Sequence, residues 1–301
     1  MFKLAQPTIN KGDNVIIGLG DSYTQGVGAY SDSAWTANNG KISVAAHDTT
    51  LIAEQYEGSW VNQICQTHLK GWVPVNLGHA GIGNRGCVKQ LYLNPVGLEK
   101  ANHVVLVYLL SGLERFDFVR KEFGSEEHYN FEAMWPNHWD TNASNPGLWK
   151  AYSETIYSDK FIAVELILNI LEAQTYCKAH GYNFVFASAF DSRANKAWLT
   201  RTLCGLIPLL EPEHKKIINQ IDWDCFLQPG GYNSFIDLLL DLDGHKELAG
   251  GRFYGHYSKL PYPSTYITNC VHPTRTGHSV MAKEIYNFIS SKYLPTTCML
   301  V

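Results

Sequence analysis

The sequence lacks the features that would assign it to a membrane, nucleic-acid or disulfide-rich class. No run of about 18 apolar residues is free of polar breaks, which argues against a membrane-spanning helix. Its 24 basic and 28 acidic residues nearly balance, and no basic stripe indicates a nucleic-acid partner. The seven cysteines show no Cys-x-x-Cys spacing, and the first residues lack the apolar region of a secretory signal. We therefore expect synthesis in the cytoplasm, with free thiols in apolar contexts at Cys65, Cys87, Cys177 and Cys204.

What the sequence does contain is a short apolar stretch near its start that ends in a tight turn. Residues 14–19 are typical of a β-strand, Gly20-Asp21-Ser22 follows, and Gly26 comes four residues after the serine. Glycines permit a bend that lifts the serine hydroxyl onto the rim of the strand. A hydroxyl presented in this way can attack a carbonyl, although a serine after Gly-Asp is also a common helix cap. Ser22 is therefore a candidate nucleophile.

Strands and helices alternate along the rest of the chain. The predicted strands are 14–19, 73–76, 103–110 and 183–188, and the predicted helices are 59–69, 83–91, 159–180, 197–210, 213–223 and 276–291. This alternation predicts a parallel sheet, whose sites form at the carboxyl ends of the strands. Ser22, Gly81 and the Ser111-Gly112 turn each follow a predicted strand, so we expect them at one edge. We expect a single domain over residues 1–301, with insertions at about 116–157 and 191–266.

Three short motifs in this order resemble those of the SGNH (GDSL) hydrolase family. The first is the Gly20-Asp21-Ser22 turn, the second is residues 76–81 (Asn-Leu-Gly-His-Ala-Gly), and the third is residues 269–273 (Asn-Cys-Val-His-Pro) before the last helix. In that family the serine of the first motif pairs with a histidine in an Asp-x-x-His-Pro segment. Ser22 and His272 occupy those two positions. The turn at residues 111–116, which reads Ser-Gly-Leu-Glu-Arg-Phe, is also similar to turns of bacteriophage-encoded relatives.

The resemblance implies a fold and a set of roles. The fold is a flavodoxin-like three-layer α/β/α sandwich with a central, mainly parallel sheet. Ser22 would be the nucleophile and His272 the general base. The Gly81 N–H would bind the oxyanion, and Asp21 would lie on the oxyanion or substrate side of the site. No cofactor follows from this chemistry, and the glycines of residues 78–83 do not meet the register of a dinucleotide loop.

The chain departs from the family pattern in one further block, which corresponds to the Ser111-Gly112 turn. In the family this block reads Gly-x-Asn-Asp, and its asparagine donates a hydrogen bond to the oxyanion. Alignment on Gly112 places Glu114 at the asparagine position. An ionised glutamate cannot donate a hydrogen bond and repels a developing oxyanion. The adjacent Arg115 offers donors instead, and the alternative is that Glu114 and Arg115 form a pair that only fixes the loop.

The second departure is Asn269, which stands where the family has an aspartate that orients the histidine. An amide can orient an imidazole but cannot supply the charge that stabilises its protonated form. Three outcomes stay open. In the first, Ser22 and His272 act as a dyad or with Asn269 as the residue that orients His272. In the second, a carboxylate from elsewhere, Asp191 or Glu114, replaces the missing aspartate. In the third, the site no longer turns over.

Two main hypotheses follow. The first is a serine esterase or acylhydrolase, with a small ester or an acetylated glycan as substrate, and a thioesterase or lipase as a variant of it. The second is a binding or structural protein on the same scaffold, such as a virion component or a glycan-binding module. In that case the aromatic residues of the insertions, Trp135 and Trp139 among them, would contact a virion, a glycan or another copy of the chain. Those aromatics could equally fill small local cores. No metal site is predicted, and His278 is interpreted as a helix-start histidine that bonds to a neighbour.

Overall fold

The computed structural model describes residues 7–30, 49–93, 97–113, 115–121, 129–134, 154–155, 157–204, 211–249, 264–268 and 271–294. Its strands are β1 (Asn14–Leu19), β2 (Val73–Asn76), β3 (His103–Leu110), β4 (Phe116–Lys121), β5 (Tyr129–Met134) and β6 (Asn183–Ser188). Four of them form one parallel sheet in the order β2-β1-β3-β6, and β4 pairs with β5 as an antiparallel hairpin. The chain passes from β1 to β2 on one side and then crosses to β3 on the other, so the strand order reverses between the neighbouring strands β1 and β3. Ligand sites of such sheets lie at that point.

The sheet forms because each of its strands is apolar on both faces. In β3, side chains alternate strictly between two buried clusters: Val104, Leu106, Tyr108 and Leu110 contact one, and Val105, Val107 and Leu109 contact the other. Strands with both faces covered are typical of parallel sheets. The four strands predicted from the sequence are confirmed, and so is the parallel arrangement.

Helices cover both faces of this sheet. They are α1 (Ser22–Gln25), α2 (Thr49–Gly58), α3 (Trp60–Thr67), α4 (Asn84–Leu93), α5 (Asp159–His180), α6 (Lys196–Cys204), α7 (Glu211–Ile218), α8 (Phe235–Leu242) and α9 (Arg275–Tyr293). Apolar side chains of α4, α5 and α6 belong to the cluster on one face, and those of α3, α8 and α9 belong to the cluster on the other. The three-layer α/β/α sandwich expected from the sequence is therefore observed.

Part of the segment predicted as the second insertion belongs to this sandwich. Phe226 forms a parallel bridge with Phe186 of β6, and Ser234 forms another with Ser188. The helix α8, which the sequence analysis did not predict, then packs on the sheet with Phe235 and Leu239 fully buried. Residues 226–242 thus extend the core beyond β6 and are not an addition to its surface.

The buried face of α5 differs from the predicted one. The pattern Phe161, Val164, Ile167, Leu168, Leu171 predicts a single apolar face, yet Val164 is 43% exposed and Leu168 is 53% exposed. The side chains that contact the sheet layer are instead Ile162, Ala163, Leu166, Ile167, Ile170 and Ala173. Apolar residues occur on more than one side of this helix, so periodicity alone cannot fix which side is buried.

The expected burial of the thiols is confirmed: Cys65, Cys87, Cys177 and Cys204 are buried and free. Within the described ranges, none of the helices combines the length and the apolar character needed to cross a membrane.

Candidate active site

The turn after β1 presents Ser22 at the carboxyl edge of the sheet. Asp21 caps α1, since its Oδ1 accepts a hydrogen bond from the Tyr23 N–H at 3.0 Å. Ser22 is the first residue of this helix, and Gly26 ends it in the left-handed conformation, with φ of 100°. The turn therefore holds the Ser22 side chain in a fixed position just beyond the strand.

His272 comes from the other end of the chain and meets this serine. Its Nε2 lies 2.9 Å from the Ser22 Oγ, across 250 positions of sequence. The histidine sits in a short loop before α9, whose N-cap Thr274 accepts a hydrogen bond from the Gly277 N–H at 3.1 Å. The structure thus brings together the two residues on which the sequence-based hypothesis depends.

The loop after β2 runs alongside the Ser22 turn. Pairing between β1 and β2 continues past the strands, because the His79 N–H donates to the Gly20 carbonyl at 3.1 Å. The loop then packs so closely that a Cβ on Gly78 would lie 2.2 Å from the Gln25 backbone nitrogen. Gln25 in turn accepts a hydrogen bond from the Ala80 N–H at 2.6 Å, which ties the loop to α1. Sequence analysis did not identify Gln25, because nothing in the pattern indicates which loop it contacts.

At this edge, the backbone N–H groups of Ser22 and Gly81 have no hydrogen-bond partner among the described residues. Ser22 lies two residues beyond Gly20, and Gly81 lies two residues beyond His79, so the two donors follow the last hydrogen-bonded pair of adjacent strands. Gly81 has φ of 87°, a conformation that favours glycine, and it is exposed to solvent. Unpaired donors of this kind can bind a negatively charged oxygen.

Beneath the turn lies a buried polar network that joins the Ser22 turn to the loops that follow β2 and β3. The Arg115 guanidinium donates to Asp21 Oδ2 at 2.7 Å, to Ser111 Oγ at 2.9 Å and to the Ile82 carbonyl at 3.0 Å. Its side chain is 4% exposed and that of Asp21 is fully buried. The guanidinium also lies 5.2 Å from the centroid of the Phe190 ring. The network therefore fixes the Ser22 turn against the turn that follows β3.

These contacts give Asp21 and Arg115 a positioning role. Asp21 has no exposed surface, so it cannot contact a substrate, which corrects its expected place on the substrate side of the site. Burial raises the pKa of Asp21, while the Arg115 charge and the hydrogen bonds from Tyr23 and Ser111 act in the opposite direction. The Arg115 donors described above point at Asp21 and its neighbours. This favours a role for Arg115 in fixing the loop over a role as an oxyanion donor. The partner observed here is Asp21.

The other candidates are placed as follows. Glu114 and Asn269 lie outside the described residues, as do Trp135 and Trp139. Asp191, a candidate substitute for the missing aspartate, is bound by Arg193 through Nε at 3.0 Å and Nη2 at 2.7 Å. In the part of the chain that the structure describes, no group of three or more His, Cys, Asp or Glu side chains could hold a metal ion.

His278 lies in the first turn of α9 and is fully buried. Its Nδ1 accepts a hydrogen bond from the Trp60 N–H at 3.3 Å, so the ring is neutral with its proton on Nε2. Burial lowers the pKa of His278 to about 3. This matches the interpretation of His278 as a helix-start histidine bonded to a neighbour.

The buried His278 makes stability depend on pH. Because its folded-state pKa is below the unfolded value of about 6.5, the unfolded chain binds the proton more readily. The contribution is complete above pH 6.5 and is lost as the pH falls from there toward about 3, at about 1.4 kcal/mol per pH unit. We expect His278→Asn to reduce the dependence of the unfolding free energy on pH, between pH 7 and pH 4, by an amount that corresponds to about one proton. The measurement is denaturant unfolding across this pH range. His245→Asn, at a partly exposed histidine, is the control, and an unchanged slope in His278→Asn would contradict the prediction.

A serine hydroxyl bound to an imidazole, beside two unpaired backbone donors at the carboxyl edge of a parallel sheet, is the arrangement that a serine hydrolase needs. Together with the strand order and the three layers, it is consistent with the SGNH-like fold that the motifs imply. No protein-family model matches the chain, and no curated protein sequence matches it.

Comparison with solved structures finds similar chains at low sequence identity. One is a member of the lipolytic protein G-D-S-L family from Veillonella parvula DSM 2008, at 12% identity, covering 91% of this chain and 96% of that chain, with a TM-score of 0.36. Another is the acetylxylan esterase Axe2 from Geobacillus stearothermophilus, at 14% identity, 96% and 99% coverage and a TM-score of 0.38. A third is the psychrotrophic esterase EstA from Pseudoalteromonas sp., at 14% identity, 93% and 98% coverage and a TM-score of 0.39. These values are too low to assign a reaction, which has to be derived from the side chains of the site.

Proposed function

We propose that this protein is a serine-dependent carboxylic ester hydrolase. The observation that carries the proposal is the distance of 2.9 Å between Ser22 Oγ and His272 Nε2. This is a hydrogen-bonding distance, and it supports His272 as the base that removes the hydroxyl proton during attack. The unpaired N–H groups of Ser22 and Gly81 support the same reaction, because they lie at the same edge of the sheet.

In the first half of the reaction, Ser22 Oγ forms a bond to the carbonyl carbon of the ester while its proton moves to His272 Nε2. The carbonyl oxygen becomes an oxyanion, which accepts hydrogen bonds from the Ser22 and Gly81 N–H groups. Collapse of this intermediate breaks the bond to the alcohol oxygen, and the His272 proton passes to that oxygen as the alcohol leaves. An acyl group then remains on Ser22.

In the second half, His272 removes a proton from water, and the resulting hydroxide attacks the acyl carbon. The proton returns to Ser22 Oγ as the carboxylic acid is released. Asn269 is the residue that we propose as orienter of His272, from its position three residues before the histidine. An amide orients the ring without adding charge, so we expect a slower enzyme than one with an aspartate at this position.

We propose a short acyl group, such as acetyl, on a carbohydrate alcohol as the substrate. The support is the sequence of residues 116–157, which is rich in Trp and Tyr, side chains that offer both apolar area and a polar group to a sugar. The direct test compares hydrolysis of acetylated xylo-oligosaccharides with 4-nitrophenyl acetate, butyrate and octanoate. Faster hydrolysis of octanoate than of the acetyl substrates would indicate a lipase or thioesterase instead.

The proposed nucleophile is tested by covalent labelling. Diisopropyl fluorophosphonate reacts with a serine hydroxyl that an adjacent base activates. We expect mass spectrometry to find one adduct on the peptide that contains Ser22, and none in Ser22→Ala. Absence of the adduct from the wild-type protein, under conditions that label a known serine esterase in the same tube, would overturn the proposal.

A further inference from the structure

The peptide unit that joins Val271 to His272 is bound by side chains at both of its polar atoms. The Val271 carbonyl accepts a hydrogen bond from the Tyr23 hydroxyl at 2.6 Å. The His272 N–H donates to Thr268 Oγ1 at 3.0 Å. Because a peptide unit is planar, two such bonds on opposite sides fix the orientation of its plane. They therefore also fix the direction in which the His272 side chain leaves the backbone.

This peptide unit follows a residue in an unfavourable conformation. Val271 has φ of 62°, and among the described residues no other non-glycine has a positive φ. A β-branched residue in the left-handed region costs about 1–3 kcal/mol and persists only where its surroundings hold it. Here the loop is closed by the Val271 N–H on the Thr268 carbonyl at 2.9 Å and by the Thr268 N–H on the His272 carbonyl at 2.8 Å. These backbone bonds close the loop, but they do not bind the Val271 carbonyl.

The group that does bind this carbonyl belongs to the residue next to the nucleophile. Tyr23 is 1% exposed, and its own N–H is held by Asp21. Its ring lies 5.2 Å from the Phe190 ring and 5.6 Å from the His272 ring, centroid to centroid. The Tyr23 hydroxyl is thus carried by the same rigid turn as the Ser22 hydroxyl. It connects that turn to the histidine loop across 248 positions of sequence.

We propose that Tyr23, together with Thr268, is a positioning residue that aligns His272 with Ser22. The proposal rests on the proposed hydrolase function and adds two residues to it. Without the Tyr23 hydroxyl, this peptide plane is held at one polar atom only, so it can rotate by a change in ψ of Val271 and φ of His272, and the imidazole moves with it. A displacement of about 1 Å in a reacting group is enough to lower a rate by about 100-fold.

The test is Tyr23→Phe, which keeps the ring and removes only the hydroxyl. We expect kcat for 4-nitrophenyl acetate and the rate of fluorophosphonate labelling to fall by about 10- to 100-fold, with KM nearly unchanged. Tyr293→Phe is the matched control, because that hydroxyl also donates to a backbone carbonyl, that of Phe184, at 2.7 Å. Phe184 lies at the opposite end of β6 from the site. We expect Tyr293→Phe to lose stability and to keep the wild-type rates.

Variants of Thr268 give a second, independent test of the same proposal. Thr268→Val removes the acceptor of the His272 N–H, whereas Thr268→Ser keeps it. We expect a fall in kcat in the first variant and near-complete recovery in the second. A structural role alone would lower the melting temperature of Tyr23→Phe and Thr268→Val without changing the labelling rate well below that temperature, and that result would overturn the inference. If the wild-type protein is not labelled at all, the proposed function falls, and this role falls with it.

Discussion

Replacing Ser22 by alanine should lower kcat/KM for acetyl esters by at least about 100-fold, because the hydroxyl that His272 activates in the proposed mechanism is then missing. The size of the loss depends on what orients His272. Removing the serine of a complete Ser-His-Asp triad costs about 10⁶-fold, but a triad without its carboxylate has already lost about 10⁴ of this. With Asn269 as orienter, we therefore expect a loss near the lower value. The measurement is the initial rate of 4-nitrophenyl acetate hydrolysis at saturating and subsaturating substrate.

Two further variants make this result interpretable. Ser158→Ala removes a serine hydroxyl that caps α5, at 3.2 Å from the Phe161 N–H, and should cost stability while leaving kcat/KM unchanged. Asn269→Asp restores the family carboxylate and should raise kcat, so that the loss caused by Ser22→Ala becomes larger in that background. Equal losses in both backgrounds would exclude Asn269 as the orienter of His272.

The same measurement separates the two hypotheses that the sequence leaves open. A binding or structural protein on this scaffold would keep its properties in Ser22→Ala, since its surface would come from the aromatic insertions. If wild-type and Ser22→Ala proteins hydrolyse acetyl esters equally slowly, the hydrolase proposal is wrong. Substitutions of Trp135 and Trp139, scored by binding to acetylated glycans, would then be the informative experiment.

The sequence was sufficient to predict the sheet because its strands carry strong local signals. Residues 103–110 are almost continuously apolar and rich in β-branched side chains, which is typical of a strand with both faces covered. The meeting of Ser22 and His272 was implied by the resemblance of their motifs to the SGNH family, since His272 follows no predicted strand. Neither conclusion requires knowledge of a specific side-chain contact beyond this pair.

The contacts that position the site were not predictable, because they depend on specific long-range side-chain pairs. Nothing around Tyr23 indicates that its hydroxyl binds the carbonyl of Val271, and a valine carries no signal for a positive φ. The sequence left Arg115 either as an oxyanion donor or as the partner of Glu114, and it did not indicate the pair with Asp21 from another strand end that the structure contains. Long-range polar pairs depend on how two loops approach, which local sequence does not encode.

The Arg115–Asp21 pair gives the largest expected change in stability. Arg115→Met keeps the length and apolar part of the side chain but leaves the Asp21 carboxylate buried without its guanidinium partner. Removing one member of a buried ion pair costs about 3–5 kcal/mol, because the remaining charge is uncompensated. We expect a loss of this size in the free energy of unfolding at pH 7, measured by urea denaturation.

The pH dependence and a double-mutant cycle identify the cause of that loss. The pKa of Asp21 is already raised by burial, and removal of Arg115 raises it further, so the folded variant binds a proton at higher pH than the unfolded chain does. The cost of Arg115→Met should therefore shrink as the pH is lowered from 7 toward 4. The double variant Asp21→Asn with Arg115→Met contains no buried charge at this position, so it should lose less than the sum of the two single variants. Additive losses, or a cost that is the same at pH 7 and pH 4, would mean that the ion pair does not hold the nucleophile turn in place. The tie between the Ser22 turn and the turn after β3 would then depend on Ser111 and the apolar packing of Phe190.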